Sequence, residues 1–491
     1  MALQIIQRPL YGQTGPNAGM PVGQQILFSV LDADAVANYF NVKYSARVFV
    51  YGHSSGLLVG DSIGTFESTP NNAGAGIWDF RPILETFVRP DNIAPPDIYG
   101  SSAYNKYKTV NIPNIPIHLI DQFSANERNV RKFGILFSVS GSSTATGPMS
   151  LIDTKSSMEY NIFNGVLQYD DTLRLFNHRY GYELAEAQAY PNTPIGLYGG
   201  GSNTAGQKIL SNAPTTQYAN IDDYGTIACL SFLQSFNNLS GLGKILIKAY
   251  NSSGVFQASF DMTQPHTTAQ AWRSEYNIIY AGVFPGNIRN RSSAFDTLIT
   301  SGAIDGGYYT VQAQTISAPT NSALYTIHLN CPTNLGYEPI RLTWLNQWGV
   351  WDYYTFTQKS VKSISTKRAP YNQISGTWNE ETITISGYQG GRKNFRVNTS
   401  EKIKMNTGYV TEEEGHWFEE LINSPEVYIL NGYDGTEGGI NDPGYTRITN
   451  KYVEPVTLTT SSYTRKTIAN DKLMQYTFEV EKSKNRRTQS V

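Results

Sequence analysis

Lys244-Ile245-Leu246-Ile247-Lys248-Ala249-Tyr250, then Asn251-Ser252-Ser253-Gly254, then Val255-Phe256-Gln257-Ala258-Ser259-Phe260 is the stretch on which the fold class turns. Both flanks alternate, as strands do when one face is covered and the other wet. The four residues between them end in Gly, which closes a hairpin at no steric cost. Working outward, the same signature recurs: short β-branched and aromatic runs cut by Gly, Asn and Pro. Residues 25–30, 45–51, 77–80 and 134–139 read as strands in the N-terminal part. The run 82–88 reads as one helical turn stopped by Arg89-Pro90, and 90–96 as a stiff loop. Strands are expected in the middle part at 165–167, 172–176 and 226–233. In the last part they are expected at 326–330, 339–344, 351–358, 382–385, 393–397, 427–430, 456–459 and 475–480.

One helix stands out. Thr411 with Glu414 forms a Ser/Thr-x-x-Glu capping box, and Glu412 and Glu413 suit the positive helix end. Trp417 and Leu421 lie four apart with Phe418 and Ile422 alongside, giving one apolar face before Asn423-Ser424-Pro425 ends it. No period of 20–50 residues repeats, which argues against a solenoid or propeller. The expected fold class is therefore mainly β: two or three consecutive β-sandwich or barrel domains with long loops and one amphipathic helix near the C-terminus. The Ser/Gly/Thr-rich run 140–148 suggests a boundary. The expected segments are an N-terminal β domain at 1–147, a middle β domain with a long loop excursion at 148–323, and a C-terminal β domain with its helix at 412–423 at 324–491. The long loops are 190–213 and 431–444.

Composition narrows function. The 491 residues carry 38 Lys+Arg against 40 Asp+Glu, a net charge of −2, which lacks the basic footprint of a dedicated nucleic-acid binder. Charged residues make up 16%, below the roughly 25% of ordinary soluble domains, while 33 residues are Tyr. Low charge with abundant Tyr suits surfaces that meet other proteins. The first residues lack the basic start and apolar run of a signal peptide, and no apolar run approaches the ~18 residues of a membrane span. Folding in a reducing cytoplasm is expected, with Cys229 and Cys331 as small buried strand residues.

Catalysis finds no constellation. His53, His118, His178, His266, His328 and His416 include no pair at metal-ligand spacing, and none adjoins a cysteine. There is no Gly-x-Ser-x-Gly elbow, His-Glu-x-x-His or phosphate-binding loop. Asp170-Asp171 reads as a turn. Asp434, Glu437 and Asp442 sit in the Gly-rich run 431–444, which has oxygen donors for calcium but no EF-hand spacing; an ordinary loop is the expectation. The tail Lys482-Ser483-Lys484-Asn485-Arg486-Arg487 reads as a solvated or partner-docking segment. No catalytic, cofactor-binding or metal residue is assigned, and no enzyme activity is expected.

In the hairpin around Trp344, Trp348 and Trp351, Leu342, Trp344, Trp351 and Tyr353 alternate about the turn 346–349, with Tyr354 and Phe356 following. A packed aromatic core is expected there, with an inter-subunit surface as the alternative. Three stretches carry a resemblance: Ile77-Trp78-Asp79-Phe80-Arg81-Pro82 and its continuation to Val88; Ile340-Arg341-Leu342-Thr343-Trp344 and its continuation to Phe356; and the helix Trp417-Phe418-Glu419-Glu420-Leu421 with its continuation to Tyr428, joined to the ending Asn470-Asp471-Lys472-Leu473-Met474-Gln475-Tyr476-Thr477-Phe478-Glu479-Val480-Glu481. Together they resemble virion tail proteins of tailed bacteriophages that infect Bacteroidetes, crAss-like phages among them. The resemblance implies a ring, hub or baseplate component in the virion tail, with no active site. Its implied partners are copies of itself in a ring, neighbouring tail proteins and, without sequence specificity, DNA passing the channel; no membrane partner is implied. A receptor- or glycan-binding tail adhesin is the second reading, since exposed Tyr and Trp stack on sugars; a depolymerase is the third.

With dispersed histidines and unpaired cysteines, the melting temperature is expected to be unchanged by EDTA. A fall that calcium restores would instead assign the loop holding Asp434, Glu437 and Asp442 as a metal site.

Overall fold

Three turns share one four-residue chemistry: Asn71-Asn72-Ala73-Gly74, Asn251-Ser252-Ser253-Gly254 and Asn346-Gln347-Trp348-Gly349. In each, the Gly N–H donates to the Asn carbonyl, at 2.8, 2.9 and 3.0 Å. The Asn N–H donates to the carbonyl of the residue after Gly, and Asn Oδ1 accepts two further backbone N–H groups. The three glycines have φ of +77°, +77° and +72°, a region where a side chain is strained. The middle turn closes the hairpin expected from the sequence, joining Leu242–Tyr250 to Phe256–Thr263.

The structure, a computed structural model, describes residues 2–9, 19–51, 61–94, 115–120, 123–126, 129–166, 209–231, 242–263, 277–315, 322–330, 337–378, 380–430, 453–464, 474–484 and 486–487. It is mainly β, with several multi-stranded sheets in sandwich-like layers. The chain divides into two compact units. Unit 1 comprises Met1–Pro332, Leu345–Asp352 and Tyr433–Thr449; unit 2 comprises Thr333–Trp344, Tyr353–Gly432 and Asn450–Val491.

In unit 1, a three-stranded sheet (Gln4–Gln7, Leu27–Leu31, Ala75–Asp79) packs on a six-stranded one. The core between them is aromatic. Phe28 meets Phe137 and Tyr160, both at 5.6 Å between ring centroids, and Trp78 meets Phe137 at 5.5 Å. The six-stranded sheet is centred on Val130–Ser142, which pairs with Phe40–Tyr51, Tyr160–Phe163 and Ser150–Ser156. Strands on both sides of residue 147 therefore share one sheet, and the Ser/Gly-rich run 140–148 is a hairpin connection rather than an interdomain linker. A second, five-stranded sheet runs in the order Thr216–Ala219, Tyr325–Leu329, Tyr308–Thr315, Leu242–Tyr250, Phe256–Thr263. Helix Ser293–Thr300 lays Phe295 against Tyr309 and Phe260 of that sheet, each at 5.6 Å.

Unit 2 is built on an eight-stranded sheet in the order Trp351–Phe356, Ile340–Leu345, Val427–Leu430, Val453–Leu458, Thr477–Lys482, Gly391–Asn406, Val361–Gln373, with Arg486–Arg487 also on Gly391–Asn406. The helix Glu412–Asn423 has the bounds read from the sequence, and its Thr411–Glu414 capping box is formed in both directions. It buries Gly415, Trp417, Phe418 and Leu421. Trp417 meets Trp344 at 4.9 Å, while Phe418 meets Tyr354 at 4.8 Å and Phe478 at 5.4 Å.

The tryptophans of the aromatic hairpin are core residues: Trp344, Trp348 and Trp351 are 0%, 2% and 3% exposed. Short helices at Ala33–Asn38, Pro285–Arg291 and Ser293–Thr300 were not foreseen. Residues 382–385, expected as a strand, are irregular, and 165–166 form no strand. The expected strand 172–176 and most of the excursion 190–213 lie outside the described residues, as does all of 431–444. Trp344→Ala is expected to destabilise unit 2 by about 3–5 kcal/mol, the usual cost of emptying a buried indole site. Denaturant unfolding measures it. An unchanged midpoint with lost association would make Trp344 an interface residue instead.

Candidate functional site

Val361–Gln373 and Gly391–Asn406 pair antiparallel over thirteen positions, from Val361 opposite Lys404 to Gln373 opposite Gly391. At about 3.3 Å per residue the ribbon is about 40 Å long. From residue 361 to 402 no described residue is buried; burial resumes at Ile403 and Met405, where the return strand pairs with Thr477–Lys482. The two strands thus leave the sheet as an arm with both faces wet. A two-stranded ribbon without a covered face is marginal in water on its own.

The tip, residues 374–390, gathers several exposed apolar side chains. Ile374, Trp378, Ile383, Ile385 and Tyr388 are 58–74% exposed. Five such residues in so short a loop are the composition of a contact surface rather than of scattered surface positions. The tip is nonetheless shaped: Thr377 N–H donates to the Thr384 carbonyl, Thr384 N–H returns to Thr377 Oγ1, and Trp378 Nε1 donates to the Ser375 carbonyl.

The arm is basic. Residues 361–406 hold eight Lys/Arg and three Asp/Glu, in a chain whose total charge is −2. At the base the charges are neutralised. Lys362 pairs with Glu338, Lys402 with Glu479 and Glu481, and Lys482 with Glu401 and Glu454. Lys402 Nζ and the Thr459 hydroxyl donate to Glu479, which lowers its carboxyl below the ordinary glutamate range. The basic tail read from the sequence joins the arm, because Arg486–Arg487 pairs with Thr399 and Asn398.

A second exposed feature lies in unit 1. One ring from each strand of the five-stranded sheet forms a row across it: Tyr218, His328, Tyr308, Tyr250 and Phe256, with successive centroids 5.3, 5.3, 4.9 and 5.9 Å apart. The alternate residues of the same strands, Ile247, Tyr309 and Ile327 among them, are buried beneath. Tyr218 and Phe256 at the ends of the row are more than half exposed. Alternation alone explains why these rings are outside; their abundance of Tyr suits a protein contact.

The residues weighed for chemistry stay apart. His118 is buried with its ring 5.0 Å from that of Trp351, His328 is in the ring row, and His416 is exposed on the helix. Burial raises the Cys229 thiol to about 12, which leaves no thiolate for nucleophilic work. Among the described residues no three His, Cys, Asp or Glu side chains come together as a metal site. His53, His178, His266, Cys331, Asp170, Asp171, Asp434, Glu437 and Asp442 lie outside the described residues. No described helix is long and apolar enough to cross a membrane.

No family model and no curated protein matches the chain. Among solved structures, it overlaps the native conformation of E. coli alpha-2-macroglobulin at 9% identity and a TM-score of 0.17, over 82% of this chain and 21% of that one. A Salmonella alpha-2-macroglobulin mutant matches at 7% identity and a TM-score of 0.19, over 100% of this chain and 30% of that one. The chain spans less than a third of either, and overlap at those scores carries nothing about activity or partners.

The lowered Glu479 carboxyl makes the arm base sensitive to acid. A depressed folded value means that its ion pair stabilises above the ordinary glutamate pKa and is lost as pH falls through the folded value. Amide exchange at 402–406, corrected for intrinsic rates, is expected to accelerate in that acid window. Glu479→Gln is expected to abolish the pH dependence, and an unchanged acid response in that variant would assign it to another carboxyl.

Proposed function

We propose that the chain is a structural subunit of a bacteriophage tail, a component of an oligomeric ring or hub that connects tail layers and forms part of the DNA passage. The observation that carries the reading is the arm: a ribbon about 40 Å long that buries no residue of its own between 361 and 402 and ends in five exposed apolar side chains. A chain acting alone gains nothing from such an element, whereas a ring of heterologous contacts covers it once per subunit. The Tyr-rich row across the five-stranded sheet offers a further contact surface of suitable composition, and the resemblance of the sequence to virion tail proteins points the same way. The virion is then its location, after folding in the host cytoplasm. An adhesin is the second reading, favoured by the exposed Trp378 and Tyr388 at the arm tip, which present rings on which a sugar can stack.

Replacing residues 364–399 by a short Gly-Ser turn is expected to leave the melting temperature near that of the parent, because no core residue is removed. It is expected to abolish the oligomer seen by light scattering and negative-stain imaging. A deletion variant that still closes rings at parental concentration removes the arm from the assembly. A monomeric parent that binds a glycan array through Trp378 transfers the reading to the adhesin.

A further inference from the structure

We infer that one face of the arm is a phosphate-binding face, whose ligand is the sugar-phosphate backbone of double-stranded DNA. The inference rests on the ring-subunit reading only for the choice of DNA as the polyanion. Antiparallel register places residues directly opposite each other on the same face. Going from base to tip, one face carries Ser365 with Ser400, Lys367 with Asn398, Ala369 with Arg396, and Tyr371 with Lys393. That is three cations, two hydroxyls, an amide and a phenol, with no carboxylate and no aliphatic side chain larger than Ala. The opposite face carries Ile364 with Glu401, Thr366 with Thr399, Arg368 with Val397, and Pro370 with Asn394. The first face therefore holds cations and neutral donors without an acid, whereas the second mixes Arg368 and, towards the tip, Arg392 opposite Asn372 with apolar groups, neutral donors and the acid Glu401.

Three features single out phosphate rather than an acidic protein. The side chains on the cationic face are the types that contact nucleic-acid phosphates, namely Arg, Lys, Ser, Asn and Tyr. Protein interfaces are instead depleted in Lys at their centres and enriched in apolar aromatics, the composition found at the arm tip. Spacing is the second feature. Lys367 and the partners of Ala369 and Tyr371, Arg396 and Lys393, fall at positions 367, 369 and 371 of the outgoing strand, about 6.8 Å apart along it, with a β-bulge at the exposed Phe395 of the return strand between the last two. That step equals about two phosphates along one DNA strand, at about 3.4 Å each. Neutralisation is the third. Lys362, Lys402 and Lys482 at the base have acidic partners, whereas among the described residues Lys367, Lys393 and Arg396 have none. A two-stranded ribbon also has a width that the DNA major groove admits.

The test uses the full chain and a duplex of arbitrary sequence, with binding followed by fluorescence anisotropy across a salt series. Three phosphate contacts predict a slope of log affinity against log salt near −2.7 per arm, independent of duplex sequence. Each of Lys367→Gln, Lys393→Gln and Arg396→Gln is expected to reduce that slope by about one. Lys362→Gln, whose ammonium is held by Glu338, is expected to leave it unchanged. All four positions lie outside the core, so the melting temperature is expected to match the parent. Absence of salt-dependent binding, or a slope that the triple variant retains, overturns the inference. Loss of self-association in the triple variant without DNA binding by the parent assigns the face to an acidic protein neighbour and also overturns it. A ring that forms but ignores DNA sinks this inference and leaves the ring reading standing; a chain that binds DNA but never self-associates does the reverse.

Discussion

The strand Gly391–Asn406 is buried at one end and free at the other, and unit 2 is organised by that difference. At Ile403 and Met405 it pairs with Val480 and Phe478, and Phe478 packs against Phe418 of the helix Glu412–Asn423. Burying such side chains removes on the order of 25 cal/mol per Å² of apolar area from water, which fixes the register at that end. From Lys402 towards the tip, the strand has no buried residue. Its register is carried there by backbone ladder hydrogen bonds with Val361–Gln373, a pairing that hydrophobic burial does not reinforce.

That contrast also separates the packed core of unit 2 from its exposed ribbon. The aromatic contacts among Trp344, Trp417, Phe418, Tyr354 and Phe478 hold the sheet to the helix, and the arm makes none of them. Truncation of the arm and truncation of the core therefore act on different observables. Charge follows the same division: the ion pairs of unit 2 gather at the arm base, where Lys402 and Lys482 each face two carboxylates. The Lys402 pairs lie at the surface and are worth little singly, about 0–1 kcal/mol, whereas Lys482 and its two partners are only 14–22% exposed. Their effect is to leave the cations of the distal stem as the uncompensated ones.

Much of the fold was legible locally. The Thr411–Glu414 capping box marked the start of its helix to the residue, because satisfying the first N–H groups is a short-range matter. The Asn251–Gly254 turn was legible for the same reason, and the equivalent turns at Asn71 and Asn346 repeat it. The arm was not. Its outgoing strand Val-Lys-Ser-Ile-Ser-Thr-Lys-Arg-Ala-Pro-Tyr-Asn-Gln, starting at Val361, shows no apolar periodicity, since that signal exists only where a face is buried, and Pro370 further demotes it. Only the segment 393–397 of the return strand was read. The irregular tip at 382–385 was read as a strand, because alternating Thr and Ile there carry a strand's composition without a partner.

What the sequence by itself determined is the β class, the helix 412–423 and the Asn251–Gly254 turn, all consequences of period, capping and turn chemistry, whereas the choice of core over interface for the three tryptophans came from their burial in the fold. What only the tertiary structure decided is the candidate site. A net charge of −2 averages away a basic arm, and Lys367 lies 26 and 29 residues from Lys393 and Arg396 in the chain. Antiparallel register brings them onto one face two steps apart. No composition or spacing along the chain reports that juxtaposition, because strand pairing is a long-range choice made by backbone hydrogen bonds that every residue type supplies alike.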